Sequence, residues 1–369
     1  MKKIVIHIGY SKTGTSSLQR ICFNCASDLA RYGILYPVTG RFGIAHHFLA
    51  KSIVGEKSDE WCPATDMLIW EKFDEEVGAS PLNTVFISSE LFYQVEDVQK
   101  LHDVVSKHGN VQIVVCLREQ TEWAESCFTQ LYKFDMTMPS MQEWINLEWT
   151  RAKMDYESFL KRWESVVGEG NIHVIPYYSR GKKQRDMFTR FLRILGVENE
   201  DMCEKMTTLR VNETVQPECI EFMHRLCKLH EPQLFNRLQN LCTIYTSKQS
   251  NRKLKYRRLS KTDTVLLQER YKPGNANIAA KYLNGQSLFP DVPPSGDSYE
   301  MFPDDLSKEL VELERWLFKT LFFRLDKAAQ ARQKIDGGRK EDKELTNTRV
   351  SKLLGCIWNK FINSCFSAK

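Results

Sequence analysis

A chain of 369 residues, 42% hydrophobic and 27% charged, is long enough to bury a sizeable core and has the balance of a globular protein, which excludes a low-complexity or wholly disordered chain. Its net charge of +5 suits a polyanionic ligand and is too small to argue for nucleic acid, so none is expected as a partner. The cysteines, eleven from Cys22 to Cys365, suggest neither a disulfide framework nor a zinc cage, and no metal site is expected. Lys2 and Lys3 precede only a short apolar run broken by His7, unlike a signal peptide, and no segment approaches the roughly 20 apolar residues of a spanning helix. A cytoplasmic protein is expected.

The first apolar run, IVIHI (4–8), reads as a strand, and the periodicity of 15–32 as a helix stopped by Gly33. TVFIS (84–88) is a second strand, followed by a helix over 95–108 that ends at Gly109. VQIVVCL (111–117) is the most apolar strand and leads into a helix over 122–134. A longer helical region, 141–167, precedes the strand NIHVIPYY (171–178) and a helix over 185–195. Beyond about residue 205 the chain reads as helical with irregular connections, including the Pro-rich FPDVPPSG (289–296). Strands alternating with helices predict an α/β fold, a central parallel sheet with flanking helices and a P-loop-like start, followed by a mostly helical C-terminal half. The expected organisation is an α/β core (1–205), a helical substrate-side extension of the same domain (206–327), a charged linker (328–348) and an amphipathic C-terminal helix (349–369).

The stretch HIGYSKTGTSSLQ joins the first strand to its helix. Such a loop presents backbone N–H groups and the positive end of the helix dipole to a ligand, glycines allow close approach, and a lysine adds a full charge. The candidate anion ligands are Gly9, Ser11, Lys12, Thr13, Gly14, Thr15 and Ser16. Gly9 and Gly14 have the spacing of a nucleotide-binding P-loop, but Thr15 stands where its lysine would, and Lys12 lies two residues before the second glycine. Arg118 ends the most apolar strand, at the sheet edge where open α/β folds bind ligands, and Ser126 lies on the following helix. Arginine forks onto phosphate, and a hydroxyl completes the shell.

KTGTSSLQ after a first strand resembles the 5′-phosphosulfate loop of sulfotransferases that use 3′-phosphoadenosine 5′-phosphosulfate (PAPS), particularly the bacterial and glycan-directed branch. The resemblance implies that Arg118 and Ser126, an arginine at a strand end and a serine eight residues later, bind the cofactor's 3′-phosphate. Weaker likeness extends through HHFLA (46–50), ISSELF (87–92), VIPYY (174–178), LRILGV (192–197), NETVQPECIEFMHRL (212–226) and ERYKPGNANIAAKYL (269–283). An Arg-Lys-Gly loop of the kind that closes over the nucleotide in the cytosolic branch is missing, which leaves the adenine clamp unassigned, with Arg270 and Lys272 as candidates.

A sulfuryl group carries one negative charge fewer than a phosphoryl group, so Lys12 and a ring of N–H donors can stabilise in-line transfer without a metal. The acceptor must lose a proton as it attacks. His47, of the His46-His47 pair, and Glu90, just beyond TVFIS, are the candidate bases, and the sequence leaves the choice open. The reading is therefore a PAPS-dependent sulfotransferase, releasing 3′-phosphoadenosine 5′-phosphate (PAP) and acting on a hydroxyl of a carbohydrate or lipid-linked glycan. Its rivals are a kinase using Mg-ATP and a non-catalytic phosphonucleotide-binding module. At the C-terminal end, Val350, Leu353, Leu354, Ile357, Trp358, Phe361, Ile362 and Cys365 mark one helical face. Docking on the protein itself, homodimerisation and attachment to the inner membrane face through 349–366 compete to cover it.

Overall fold

The apolar runs of the first half pair in one parallel sheet, made of β1 (Lys2–Ile8), β2 (Ile34–Leu35), β3 (Thr84–Ser89), β4 (Gly109–Leu117) and β5 (Ile172–Pro176) in the order β2-β3-β1-β4-β5. The computed structural model describes residues 1–55, 66–135, 137–178, 181–199, 201, 204, 215–226, 232–248, 256–289, 300–303, 305–317 and 319–320. The expected linker (328–348) and C-terminal helix (349–369) lie outside these residues, as does most of 289–296.

β1 is central and covered on both faces, with Ile4, Val5, Ile6 and Ile8 buried, which is why it reads as a nearly unbroken apolar run. Ile6 stands beside Ile87 of β3 and Ile113 of β4, and His7 beside Ser88 and Val114. That register brings the carboxyl ends of the three strands to one edge of the sheet. The chain builds β2 and β3 to one side of β1 and β4 and β5 to the other, so a ligand crevice is expected at this edge beside β1.

The helix expected over 15–32 is two helices, α1 (Thr15–Asn24) and α2 (Ala26–Arg31). Cys25, with ψ of 19°, leaves the helical range, and the turn lets Leu29 join Leu18, Ile21 and Cys22 in the cluster that β1 shares with Phe188, Phe191 and Leu192. Cys22 and Cys25 have the Cys-x-x-Cys spacing of redox and metal motifs, yet both are buried in this apolar cluster and neither is in a disulfide, and burial pushes the Cys22 thiol up. Their role here is packing.

α3 (His47–Val54) and α4 (Ile69–Ala79) precede β3, and α5 (Val98–Ser106) follows it. Gly109 does not end α5 as expected but opens β4, paired with Lys2. α6 (Gln120–Tyr132) follows β4. The helical region expected over 141–167 is α7 (Met141–Asn146), α8 (Glu148–Met154) and α9 (Tyr156–Val167). Leu147 takes an extended conformation between the first two, and Asp155 starts the third by accepting from the Ser158 N–H at 3.1 Å. α10 (Gly181–Leu195) follows β5, and α11 (Pro217–Leu226), α12 (Pro232–Lys248) and α13 (Lys261–Tyr282) complete the labelled helices.

Two compact units make up the chain. One comprises Met1–Phe128, Pro139–Asn212 and Arg258–Ser298 and holds the five-stranded sheet. The other, Thr129–Met138, Glu213–Arg257 and Tyr299–Lys369, has a core in which Cys219, Phe222 and Met223 of α11 meet Leu238, Leu241 and Cys242 of α12 and Leu306, Leu310 and Leu313. It also carries a short parallel pair, β6 (Tyr256–Arg257) with β7 (Glu300–Met301). Among the described residues no helix is long and apolar enough to cross a membrane.

Candidate functional site

The loop between β1 and α1 is built to expose backbone. Lys12 and Gly14 both take left-handed conformations, with φ of 65° and 79°. A side chain at Gly14 would be strained and would also meet the Tyr177 ring, Cε2 lying 2.8 Å from the position of a Cβ. A Cβ on Gly9 would lie 2.5 Å from Thr15 Cγ2. The loop is thus a cradle in which glycines are required for shape, and α1 begins at its far end.

The hydroxyls of the loop divide by burial. Thr13 donates to the Tyr10 carbonyl inside the protein, and Ser11 Oγ lies 3.7 Å from Cys127 Sγ. Thr15 is buried at the first position of α1, whereas Ser16 is half-buried. Trp123 Nε1 donates to the Ser11 carbonyl (3.1 Å), and the Tyr10 hydroxyl donates to the Lys153 carbonyl, so the loop is braced from α6 and α8.

Arg118 arrives at the same loop from the end of β4. One guanidinium nitrogen donates to the Lys12 carbonyl at 3.3 Å, another to Glu122 at 3.3 Å, and the guanidinium carbon lies 5.5 Å from the centre of the Tyr177 ring. Tyr156 fixes the backbone beneath by donating to the Arg118 carbonyl at 2.7 Å. Burial pushes the Lys12 ammonium down from its ordinary value, and Arg118 adds to this. Burial in turn pushes the Cys127 thiol up to about 11, so it stays neutral beside the lysine. Ser126 is half-buried on α6, two turns beyond Arg118.

The donor set is suited to an oxyanion: a glycine-shaped backbone cradle, the Lys12 ammonium and the planar Arg118 guanidinium belong to one loop and its neighbour.

The end of β3 is organised differently. His46 Nε2 donates to the Pro37 carbonyl (3.0 Å) and its Nδ1 accepts from the Ser88 N–H (3.1 Å), so both ring nitrogens are spent on backbone. Burial holds its pKa down to about 3, and the ring is neutral. His47 begins α3, its Nδ1 2.8 Å from Ser89 Oγ and its Nε2 3.9 Å from Glu90 Oε1. Burial lowers the His47 pKa, Glu90 opposes this, and Lys51 reinforces it. Ser89 rather than Glu90 caps the 3-10 turn Glu90–Gln94, accepting from the Leu91 N–H at 3.1 Å. Glu90 is held by Gln19, whose Nε2 donates to Oε2 at 2.8 Å.

The structure therefore brings Lys12 to Arg118, and His47 to Glu90, and separates His46 from the chemistry. Gln19, Ser88, Ser89, Cys127 and Tyr177 are contributors that sequence reasoning assigned no role. A carboxylate beyond a buried strand paired with the strand carrying the anion loop would have signalled that α1 must satisfy it. Arg270 and Lys272, the adenine-clamp candidates, lie on α13: Lys272 pairs with Glu269 at 3.3 Å, and Arg270 lines a cavity of about 610 Å³ with Arg151, Tyr271, Glu148, Asp155 and Glu157. α13 is joined to the Arg118 junction by a reciprocal amide pair, Gln120 with Asn275, at 2.8 and 3.0 Å.

No protein-family model matches the chain, and no curated protein matches it. Among solved structures, it is similar to a sulfotransferase from Alicyclobacillus acidocaldarius, at 18% identity and a TM-score of 0.37, over 66% of this chain and 96% of that one.

Proposed function

We propose that this chain is a sulfotransferase that moves a sulfuryl group from PAPS to a hydroxyl of a carbohydrate or lipid-linked glycan. The observation that carries the reading is the meeting of two cations from separate strand-to-helix junctions: Arg118 donates to the carbonyl of Lys12, inside a glycine-shaped cradle. Two like charges in partial burial oppose each other in the protein alone, and bound anionic groups add attractions that offset this repulsion. The motif likeness of KTGTSSLQ and of Arg118 with Ser126 supports the cofactor class, and the likeness to the glycan-directed branch supports the acceptor class.

When bound, PAPS supplies an activated sulfuryl group and a 3′-phosphate handle. In this reading the cradle and Lys12 bind the sulfate-bearing end and favour the charge that develops on it. Arg118 and Ser126 bind the 3′-phosphate. The acceptor's hydroxyl proton passes to the His47–Glu90 pair, for which a neutral His47 is required. No metal is needed in this scheme. The amphipathic face at 350–366 would bring the protein to a lipid-linked acceptor; co-sedimentation with anionic liposomes, lost on truncation after Asp336, tests that part separately.

Titration calorimetry with PAP and with ATP, each with and without Mg²⁺, tests the cofactor class. Micromolar PAP binding independent of Mg²⁺ is expected. Preference for ATP that depends on Mg²⁺ would overturn the reading in favour of a kinase.

A further inference from the structure

Gln19 is buried on α1, one turn beyond the anion cradle, at 2% exposure. Its single side-chain nitrogen lies 2.8 Å from Glu90 Oε2 and 3.3 Å from Ser88 Oγ. An ionised carboxylate only accepts, so the amide must present its NH₂ to Glu90, and its two hydrogens match the two oxygens before it. Ser88 Oγ is in turn 2.8 Å from Nδ1 of His7, a ring that burial holds neutral, with its pKa down to about 3. With Oε2 engaged by Gln19, the other carboxylate oxygen, Oε1, is the one that faces His47 Nε2, at 3.9 Å.

We infer that Gln19 is a positioning residue that holds the Glu90 carboxylate toward His47, making these two side chains one proton-accepting unit tied to the helix that begins at the anion cradle. The purpose of the unit rests on the sulfuryl-transfer reading; the positioning itself rests on the contacts above. A hydrophobic residue at 19 would fill the space, but it would leave Oε2 without its donor and the carboxylate free to rotate toward solvent, since Glu90 is half-buried. The amide therefore fixes which carboxylate oxygen meets the imidazole. It also makes the cradle and the proton acceptor move together, because α1 carries both Thr15 and Gln19.

The test is a histidine side-chain NMR titration of the full chain, with His47 assigned by His47→Gln. The groups that face His47 are Glu90 from the 3-10 turn, Lys51 from its own helix, and the adjoining His46, with Ser89 on Nδ1. Glu90→Gln removes the one opposite charge among them and should lower the His47 pKa by about one unit. Gln19→Met should lower it by roughly half a unit or more, and should have no further effect in the Glu90→Gln background. An unchanged His47 titration in Gln19→Met, or an equal shift with and without Glu90, would overturn the inference. Should Gln19→Met fail to fold, Gln19→Asn, which keeps the amide but withdraws it by one methylene, provides the same comparison. With PAPS and a panel of p-nitrophenyl glycosides as acceptor probes, Gln19→Met should lower kcat about 10-fold or more while PAP affinity changes less than about twofold. A matching loss of PAP affinity would overturn the role. The titration needs no cofactor, so a wild type that binds no PAP overturns the sulfuryl reading alone.

Discussion

The loop after β1 and the turn after β3 end neighbouring parallel strands, yet they solve opposite problems. At the first, Lys12 and Arg118 bring two positive charges into partial burial, and the arginine is shared between a backbone carbonyl and Glu122. At the second, Glu90 is met by an amide and an imidazole, and His46 next to it has both ring nitrogens bonded to backbone. One region holds two cations, with Glu122 as the carboxylate at hydrogen-bond distance of the arginine. In the other, Gln19 holds Glu90 Oε2 while Oε1 stands 3.9 Å from His47 Nε2, and what it offers is a fixed orientation. Under the proposed function, the first region would differ from the second in leaving more of its charge for a ligand to meet.

The largest effect that could break this contrast is at Arg118. Arg118→Ala should weaken PAP binding by about 2–5 kcal/mol, and the discrimination between PAPS and adenosine 5′-phosphosulfate, which lacks the 3′-phosphate, should vanish with it. Equal discrimination in wild type and variant would remove Arg118 from the site. Lys12→Ala should cost about 3 kcal/mol in the transition state, read as a fall in kcat for transfer, while PAP, which lacks the sulfuryl group, binds with a smaller loss. Transfer at the normal rate would show that the cradle is not where the charge develops.

Two fully buried histidines, His7 of β1 and His46 before α3, make a prediction about pH. His7 and His46 have folded pKa values near 3 against an ordinary 6.5, so the unfolded chain takes up protons that the folded chain refuses. Their stabilising contribution is complete above about pH 6.5 and is lost as pH falls toward 3, with a slope of about 1.4 kcal/mol per pH unit for each ring. Urea unfolding between pH 7 and 5 measures it, and His46→Asn should reduce the proton uptake on unfolding by about one. A stability indifferent to pH over this interval would mean that neither ring is held neutral. The smallest effect is expected at Tyr177, whose ring lies against Gly14 and near Arg118. Tyr177→Leu should weaken PAP binding by about 1 kcal/mol with folding unaffected, as the guanidinium loses its aromatic neighbour.

Much of the architecture was legible because the strands are buried on both faces and therefore apolar throughout: IVIHI, TVFIS and VQIVVCL are β1, β3 and β4 within a residue or two at each end. The shape of the turn after β1 was legible because glycines between a strand and a helix mark backbone that leaves the ordinary φ range or approaches its neighbours closely. The break at Cys25 was not, because nothing in CFNCAS marks a turn and the reason for it is the burial of Leu29 against α1. The environment of Glu90 was also hidden. Gln19 lies 71 positions away and Ser88 meets His7 across 81, and such contacts follow from the register of parallel strands, which local periodicity does not carry. The same applies to the two histidines: adjacent in sequence, they differ because His46 precedes α3 and turns to the backbone of Pro37 and Ser88, while His47 begins the helix and faces Ser89 and Glu90.

Lys12 sits at φ of 65°, a conformation that costs a non-glycine residue about 1–2 kcal/mol, and its ammonium is held down by burial and by Arg118. Both penalties are borne in the absence of ligand. Laboratory selection for heat resistance, carried out on the protein without PAP, would accordingly favour replacing Lys12 with glycine or asparagine, and the most robust variants recovered would be the ones least able to turn over. Selection carried out with the nucleotide present should retain the lysine.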